Sequence, residues 1–204
     1  MIVIVDYGLG NLGSIAKMLK KIGAEAKVTS DPRELKQARK LVLPGVGAFN
    51  HGMSRLRETG LQEALNECII GNGIPILGIC LGMQLMTRRS EEGSLPGLGW
   101  VKADTRRFRF AESEPALKVP HMGWNEATPR EGSTWFAGIE KANRFYFVHS
   151  YHVVCDRPEE VLSVTRYGYD FASAFECDNI VGVQFHPEKS HRFGMALLKN
   201  FVEI

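Results

Sequence analysis

One cysteine lies where a sharp turn could hold a nucleophile. Residues 74–86 read as an apolar strand that runs into Gly78, Cys80 and Gly82, spaced two apart, and a helical pattern begins at once. This strand–turn–helix pattern is that of a nucleophile elbow, with cysteine in place of serine. Glycines on either side remove side chains that would collide at the turn. The sulfur then meets the free amides of a helix N-terminus, which favour the thiolate. The alternative is a buried cysteine in a tight strand–helix corner.

A histidine and a carboxylate two residues apart could complete this chemistry. His186 follows the apolar run 180–185 and precedes Pro187 and Glu188. Proline favours extended geometry in the residue before it, and residues two apart in an extended segment point the same way. We therefore expect Glu188 to orient the imidazole of His186 while the other ring nitrogen faces Cys80. Taken alone, the same segment could be a surface turn after a strand.

Attack on a carbonyl also needs hydrogen-bond donors where the oxygen becomes negative. The amide of Leu81 is one candidate, because the elbow fixes its position. A second could come from the glycine-rich loop 43–49, which follows a strand directly. Parallel strands end at the same edge of a sheet, so we expect this loop and the elbow to be neighbours. The loop could otherwise be a plain flexible connection.

A rival motif lies near the start of the chain. Residues 8–13 match G-x-G-x-x-G after the first predicted strand, and Asp31 follows the second, which is the outline of a dinucleotide-binding fingerprint. Asp6 and Tyr7 separate that strand from the first glycine, and the Asp6 carboxylate would repel a pyrophosphate. Because Pro32 follows it, Asp31 is more simply a helix cap. We expect no nucleotide here.

The elements that must position these residues alternate as in parallel α/β units. Strands without strong alternation indicate a sheet covered by helices on both faces. After residue 93, shorter alternating segments predict a mixed sheet extension. The sequence therefore predicts an α/β fold, a mostly parallel central sheet with flanking helices and a mixed extension, in a single domain over residues 1–204. Predicted strands are 2–5, 26–29, 40–43, 75–79, 99–103, 107–110, 144–147, 161–165, 173–176 and 180–184; predicted helices are 12–22, one opening at Asp31-Pro32, 52–58, 61–70 and 190–201.

Composition narrows the class of protein. The 204 residues carry a formal net charge of +2, which does not indicate a polyanion partner. No signal peptide or membrane span is predicted, so we expect a cytoplasmic protein. The cysteines lack metal-ligand or disulfide spacing, and Cys68, Cys155 and Cys177 read as small buried hydrophobes. No metal or organic cofactor is expected. Alternating basic and aromatic residues at 106–110 predict a half-exposed strand rather than an RNA contact.

Together, the elbow, the His186-Pro187-Glu188 segment and the loop 44–49 resemble the class I, triad-type glutamine amidotransferases, and the resemblance spans essentially the whole chain. Narrower motifs are similar to the glutaminase subunits of imidazole glycerol phosphate synthases in histidine biosynthesis. The most specific of them is Pro-His-Met-Gly-Trp-Asn at 120–125; the others are Asp-Tyr-Gly at 6–8, Gly-Asn at 10–11, Phe-Val-His-Ser-Tyr at 147–151 and His-Pro-Glu-Lys-Ser at 186–190.

This resemblance implies a role for each matching position. Cys80 is implied as nucleophile, His186 as base and then acid, and Glu188 as the orienting carboxylate. The remaining positions are the oxyanion amides Val46 and Leu81, the glutamine-pocket residues Gly47, Gln84, Glu92, Ser150 and Tyr151, and the interface residues Asn11, Met122, Trp124, Asn125 and Lys189. The implied partner is a (β/α)8-barrel cyclase subunit that consumes the ammonia released from glutamine.

Other interpretations stay open at the level of sequence. Met122 and Trp124 could be core residues, and Glu91 with Glu92 could be a solvated pair. The chain could serve another synthase, such as one making pyridoxal phosphate, anthranilate or a purine, although the run 120–125 argues against this. It could also be a cysteine peptidase or esterase, or a protein that binds without catalysing.

Overall fold

The computed structural model of the chain describes residues 1–110, 117–139 and 143–204. Its N-terminal half alternates strands with helices. Gly60 and Thr59 separate two of these helices, and a π-helical turn over Glu67–Gly71 extends the second. The elements are β1 Ile2–Val5, α1 Leu12–Lys21, β2 Ala26–Thr29, α2 Pro32–Leu35, β3 Lys40–Gly45, α3 Phe49–Glu58, α4 Leu61–Asn66, β4 Ile76–Cys80 and α5 Leu81–Leu85.

The C-terminal half is mostly strand and closes with one long helix. Its elements are β5 Ala103–Arg107, β6 His121–Asn125, β7 Thr128–Pro129, β8 Phe145–His149, β9 Tyr151–Cys155, β10 Val161–Tyr167, β11 Tyr169–Cys177, β12 Ile180–Val183 and α6 His191–Glu203. No helix in the described part of the chain is long and apolar enough to cross a membrane.

One large mixed sheet organises both halves. Its strand order is β2-β1-β3-β4-β12-β11-β10-β7, with β9 pairing β11 and β5 pairing β9. The strands from β2 to β12 pair in parallel, and β12 joins them to the antiparallel part. Strands β6 and β8 form a separate antiparallel pair. The predicted mostly parallel sheet with a mixed extension agrees with this order.

Burial on both faces explains why the parallel strands lack alternation. Alternate residues of β1 enter different core clusters: Val3 and Val5 pack in one, and Ile2 and Ile4 pack in the other. β3 and β4 divide their side chains in the same way. Each residue of these strands that faces a helix layer is therefore apolar, and the sequence reads as continuous apolar runs.

Two predicted strands, 99–103 and 107–110, are wrong. Gly99 has a φ of 67°, and the amides of Gly99, Trp100 and Val101 donate to carbonyls of Thr87 and Met86 just after α5. The segment therefore packs against the end of that helix, and the strand forms over Ala103–Arg107 instead. Strands β6 and β9 were not predicted, because β6 contains Gly123 and has a polar residue at each end, and β9 shows no regular alternation.

Candidate active site

Cys80 lies in a strained turn between β4 and α5. Its φ of 53° and ψ of −109° are rarely adopted by any residue with a side chain. A Cβ at Gly82 would collide with the backbone oxygen of Leu43, and one at Gly78 would lie 2.9 Å from the amide nitrogen of Met83. The two glycines are therefore needed for close backbone approach, as the sequence predicted. The turn leaves Cys80 largely buried, at 7% exposure, but on the wall of a pocket.

The glycine-rich loop lies beside this elbow. Strand register places Gly45 opposite Cys80, at the shared edge of β3 and β4. Val46 and Gly47 follow and line the same pocket as Cys80 and Leu81. Val46 is 42% exposed, and a Cβ at Gly47 would touch nothing within 4 Å. Val46 and Gly47 are therefore loosely packed on the wall of the pocket that contains Cys80.

His186 and Glu188 meet as a buried pair. The Nδ1 of His186 lies 2.8 Å from Oε1 of Glu188, and each side chain is 2% exposed. The expected fully extended segment is wrong: His186 is extended, but Pro187–Lys189 forms one 3-10 turn that brings the carboxylate back to the ring. Ser190 holds this turn against β8, since its hydroxyl donates to the His186 carbonyl and accepts from the Tyr146 amide.

The second ring nitrogen of His186 faces the cysteine side of the site. His186 and Cys80 line the same pocket, and Nε2 of His186 has no hydrogen-bond partner within the described residues. Burial acts to lower the pKa of His186, but the interactions with Cys80 and Glu188 outweigh it and raise this pKa to about 10. The ring is therefore suited to carry a proton beside the sulfur.

The pocket walls include all five positions implied for glutamine binding. Gly47, Gln84, Glu92, Ser150 and Tyr151 line the cavity that contains Cys80. Glu91 and Glu92 are both exposed, as the solvated-pair interpretation expects, but each carboxylate has a partner. Oε2 of Glu92 accepts from the amide of Phe49 at 2.8 Å, whereas Glu91 forms an ion pair with Arg109. Glu92 thus places a carboxylate at the pocket edge, where an ammonium group could bind.

The positions implied for a partner interface are mostly exposed. Met122 is 62% and Trp124 is 44% exposed, so neither is a core residue. Asn11 and Lys189 are also exposed. Asn125 differs, because its side chain turns to the other face of β6 and donates to the Arg166 carbonyl at 2.9 Å.

The rival motif at residues 8–13 has a structural explanation. Oδ1 of Asp6 accepts from the amide of Gly8 at 2.9 Å, so a carboxylate occupies the turn. Asp31 is the N-cap of α2 and accepts from the amide of Arg33, as the helix-cap interpretation predicted. Phe108 is buried and Arg106 is exposed, but the strand ends at Arg107.

The burial of the cysteines agrees in part with the predictions. All four cysteines are free; Cys68 is buried as predicted, whereas Cys155 and Cys177 are only partly buried. No cluster suited to a metal ion occurs among the residues that the structure describes.

Sequence reasoning missed several polar side chains close to the site. Gln184 is fully buried and its Nε2 lies 3.7 Å from the Cys80 sulfur. His121 and His149 are buried and hydrogen-bonded to each other at 3.0 Å. The Tyr7 hydroxyl is buried beneath Gly45 without a partner in the described residues, and burial together with Cys80 raises its pKa. A glutamine inside the apolar run 180–185 was the one available signal.

Comparison with known proteins decides the family. The model of the family "Glutamine amidotransferase class-I" matches residues 3–204. The chain belongs to the class I glutamine amidotransferases. It is similar to the imidazole glycerol phosphate synthase subunit HisH 2 of Pseudomonas aeruginosa, at 50% identity over 100% of both chains. It is also similar to HisH 2 of Methanococcus maripaludis, at 49% identity over 100% of this chain and 99% of the relative.

Several solved structures share the fold of this chain. The crystal structure of a glutamine amidotransferase matches with a TM-score of 0.69 and 21% identity, over 99% of this chain and 97% of that one. The structure of PurLQS from Thermotoga maritima matches with a TM-score of 0.69 and 18% identity, over 99% and 96% of the two chains. At this identity, the likeness concerns the fold.

Proposed function

We propose that this amidotransferase is the glutaminase subunit of an imidazole glycerol phosphate synthase. It hydrolyses glutamine to glutamate and ammonia, and the ammonia serves a partner subunit in histidine biosynthesis. The observation that carries the proposal is the pocket in which a strained Cys80 faces the buried His186–Glu188 pair. Identity near 50% with named HisH subunits, over the full chain, supports the choice of synthase.

The first half of the reaction uses the sulfur and the ring proton. The Cys80 thiolate attacks the side-chain amide carbon of glutamine and forms a tetrahedral oxyanion. As the C–N bond breaks, His186 gives its proton to the departing ammonia and a glutamyl thioester remains. The raised pKa of His186 supports this acid role, since the ring holds its proton until the leaving nitrogen needs it.

The second half returns the site to its starting state. His186, now neutral, takes a proton from water, and the hydroxide attacks the thioester carbon. Collapse of that intermediate breaks the C–S bond, releases glutamate and restores the thiolate beside a protonated ring. Glu188 keeps Nδ1 of the ring occupied throughout, so Nε2 is the nitrogen that exchanges protons with the reactants.

The amides of Leu81 and Val46 are the proposed donors to the oxyanion. Leu81 is fixed as the first residue of α5, whereas Val46 lies in the loosely packed loop. Losing one such donor typically costs about 100-fold or more in rate. We therefore expect the backbone of Gly45–Gly47 to reorient when the partner binds its own ligand, which would couple ammonia release to its use.

The proposed partner is a (β/α)8-barrel cyclase that contacts the chain around Met122 and Trp124. Large apolar side chains exposed on one strand are typical of interaction surfaces. Asn11 and Lys189 complete this proposed interface, and Asn125 lies behind it, on the inner face of β6. We further propose that residues 1–204 form one domain, that the protein acts in the cytoplasm, and that the cyclase, rather than this chain, carries the lyase step.

Ammonia release from glutamine tests the proposal. We expect turnover to rise when the cyclase and its nucleotide substrate are added, and a reactive glutamine analogue to label Cys80. Equal turnover with and without the liganded cyclase would contradict the subunit assignment. Stimulation by a different synthase instead would reassign the pathway while leaving the glutaminase chemistry intact.

A further inference from the structure

Two buried histidines, His121 on β6 and His149 on the pocket wall, each have one ring nitrogen whose hydrogen is fixed by a neighbouring group. Nδ1 of His149 lies 2.8 Å from the backbone oxygen of Tyr151. A carbonyl oxygen only accepts, so Nδ1 carries the hydrogen. Nε2 of a neutral His149 is then an acceptor, and Nδ1 of His121, 3.0 Å away, must donate to it.

Asn125, the last residue of β6, donates the hydrogen bond that precedes these two. Its Nδ2 lies 3.2 Å from Nε2 of His121 and 2.9 Å from the carbonyl oxygen of Arg166. Its Oδ1 accepts from the amide of Glu126 at 2.8 Å, which fixes which amide atom is the donor. Every hydrogen bond from Asn125 through the two histidines to Tyr151 therefore points one way.

The other end of this chain of hydrogen bonds reaches the cysteine. The Tyr151 oxygen also accepts from Nε2 of Gln84 at 3.1 Å. The same Gln84 nitrogen donates to Oε1 of Gln184 at 3.0 Å, and Nε2 of Gln184 lies 3.7 Å from the Cys80 sulfur. A carbonyl with two lone pairs is thus held by a histidine on one side and by a pocket side chain on the other.

Both rings must stay neutral for this arrangement. His121 is stacked between Tyr167, at 4.0 Å, and Phe147, at 4.8 Å between ring centroids. Burial lowers the pKa of His121 to about 4 and lowers that of His149 as well. A second hydrogen on either ring would point at a donor rather than an acceptor, so the geometry and the burial agree.

We propose that His121 and His149 are positioning residues that connect β6 to the glutamine pocket. Their hydrogen bonds hold the Tyr151 carbonyl and Gln84, and through Gln184 they limit the position of the Cys80 sulfur. β6 presents Met122 and Trp124 outward and His121 and Asn125 inward. A partner docked on the outer face of β6 would therefore shift the strand that carries the first hydrogen bonds of this series. The link to a partner depends on the proposed function; the hydrogen-bond arrangement itself does not.

Two substitutions at one position test the positioning role. His149→Ala removes the donor to Tyr151, whereas His149→Asn can place an amide nitrogen where Nδ1 was. In the complex with the liganded cyclase, we expect kcat/KM for glutamine to fall about 10-fold in the alanine variant and to recover largely in the asparagine variant. His51→Ala, at an exposed position, controls for loss of a histidine. Equal losses in both His149 variants would overturn the proposal, because simple packing predicts that result.

Imidazole nitrogen NMR on the isolated chain tests the arrangement without relying on activity. We expect His121 and His149 each to carry hydrogen on Nδ1 and none on Nε2. Asn125→Asp replaces the donor with a carboxylate, so Nε2 of His121 should become protonated. Nε2 protonation of either ring in the unsubstituted protein would overturn the proposal. Absence of cyclase stimulation alongside the expected tautomers would instead contradict the proposed function and leave the arrangement standing.

Discussion

The parallel and antiparallel parts of the sheet are built on different interactions. β1, β3 and β4 bury apolar side chains on both faces, and they carry the cysteine elbow and the glycine-rich loop. The antiparallel strands bury many polar groups, among them Ser163 and Ser173, whose hydroxyls meet at 2.9 Å. This part and its neighbour β8 contribute Tyr151 and His149 to the same pocket.

The difference indicates a division of tasks. Close apolar packing holds the sulfur in a turn that is strained locally, since the surrounding strands fix it on both sides. Hydrogen bonds hold the pocket wall formed by His149 and Tyr151, and such bonds are directional and sensitive to protonation. We therefore expect substitutions in the parallel part to act through backbone fit, and those in the antiparallel part to act through hydrogen bonding and pH.

The largest expected effect is at the elbow itself. Cys80→Ala should lower glutamine turnover by about 10⁴-fold or more, because no other group replaces the nucleophile. Cys80→Gly should lose the same activity. Its free energy of unfolding should exceed that of the alanine variant by about 1 kcal/mol, because glycine adopts the positive φ without strain. Steady-state ammonia release and urea unfolding measure the two quantities. Equal stability of the variants would contradict strain at this position.

Gly82→Ala tests backbone fit next to the elbow. The new Cβ would collide with the Leu43 oxygen, so we expect the free energy of unfolding to fall by about 3 kcal/mol. Gly13→Ala is the matched control, because it lies in α1 with open space around it and should gain about 0.5–1 kcal/mol. Similar effects of the two substitutions, measured by urea unfolding, would show that packing at the elbow is looser than the distances indicate.

Low pH should destabilise the hydrogen-bonded part of the molecule around His121 and His149. The pKa of His121 is lowered to about 4 in the folded chain, so between this value and about 6.5 the unfolded chain binds more protons. The neutral His121 ring therefore contributes to the free energy of unfolding above pH 6.5. This contribution, on the order of 3 kcal/mol, is lost as the pH falls to about 4. His149 shifts in the same direction.

His121→Phe separates this contribution from the rest. The variant loses two hydrogen bonds at neutral pH, but its unfolding free energy should fall less steeply between pH 6.5 and 4 than that of the unsubstituted chain. His51→Phe, at an exposed site, should leave the slope unchanged. Chemical unfolding at several pH values provides the slopes, and parallel curves for His121→Phe would mean that His121 titrates normally.

The smallest expected effect is at Tyr7. Its buried hydroxyl has no partner in the described residues, so Tyr7→Phe should raise the free energy of unfolding by about 1 kcal/mol. Tyr169→Phe is the control with the opposite expectation. The Tyr169 hydroxyl is hydrogen-bonded to His152 at 2.9 Å, so its removal should lower the free energy of unfolding by a similar amount. A loss of stability on Tyr7→Phe would reveal a partner for its hydroxyl.

The same contrast explains what the sequence predicted. The bounds of β1 and β2 match the prediction residue for residue, because short apolar or β-branched runs between turn signals identify such strands. The Cys80 turn followed from glycine spacing; the His186–Glu188 contact was predicted as well, but from an extended geometry that the 3-10 turn replaces. The roles assigned to them stay predictions that the experiments above address.

The rest depends on contacts between distant residues. β6 was missed because its inward positions carry histidine and asparagine rather than aliphatic side chains, and β9 was missed because its buried residues do not alternate regularly with exposed ones. Whether a histidine is a buried hydrogen-bonding group or a surface residue is decided by partners far along the chain, such as His149 for His121. The observed 3-10 turn at Pro187–Lys189 likewise depends on Ser190 bonding to β8.

The position of β12 has a consequence for synthesis on the ribosome. This strand is made after every other described strand, yet it lies at the centre of the sheet, between β4 and β11. Until it emerges, β4 has an unpaired edge, and the Cys80 thiol lacks the histidine that we propose activates it. We therefore expect the nascent protein to be open to edge-to-edge aggregation but catalytically silent, and both conditions to end in the same folding step.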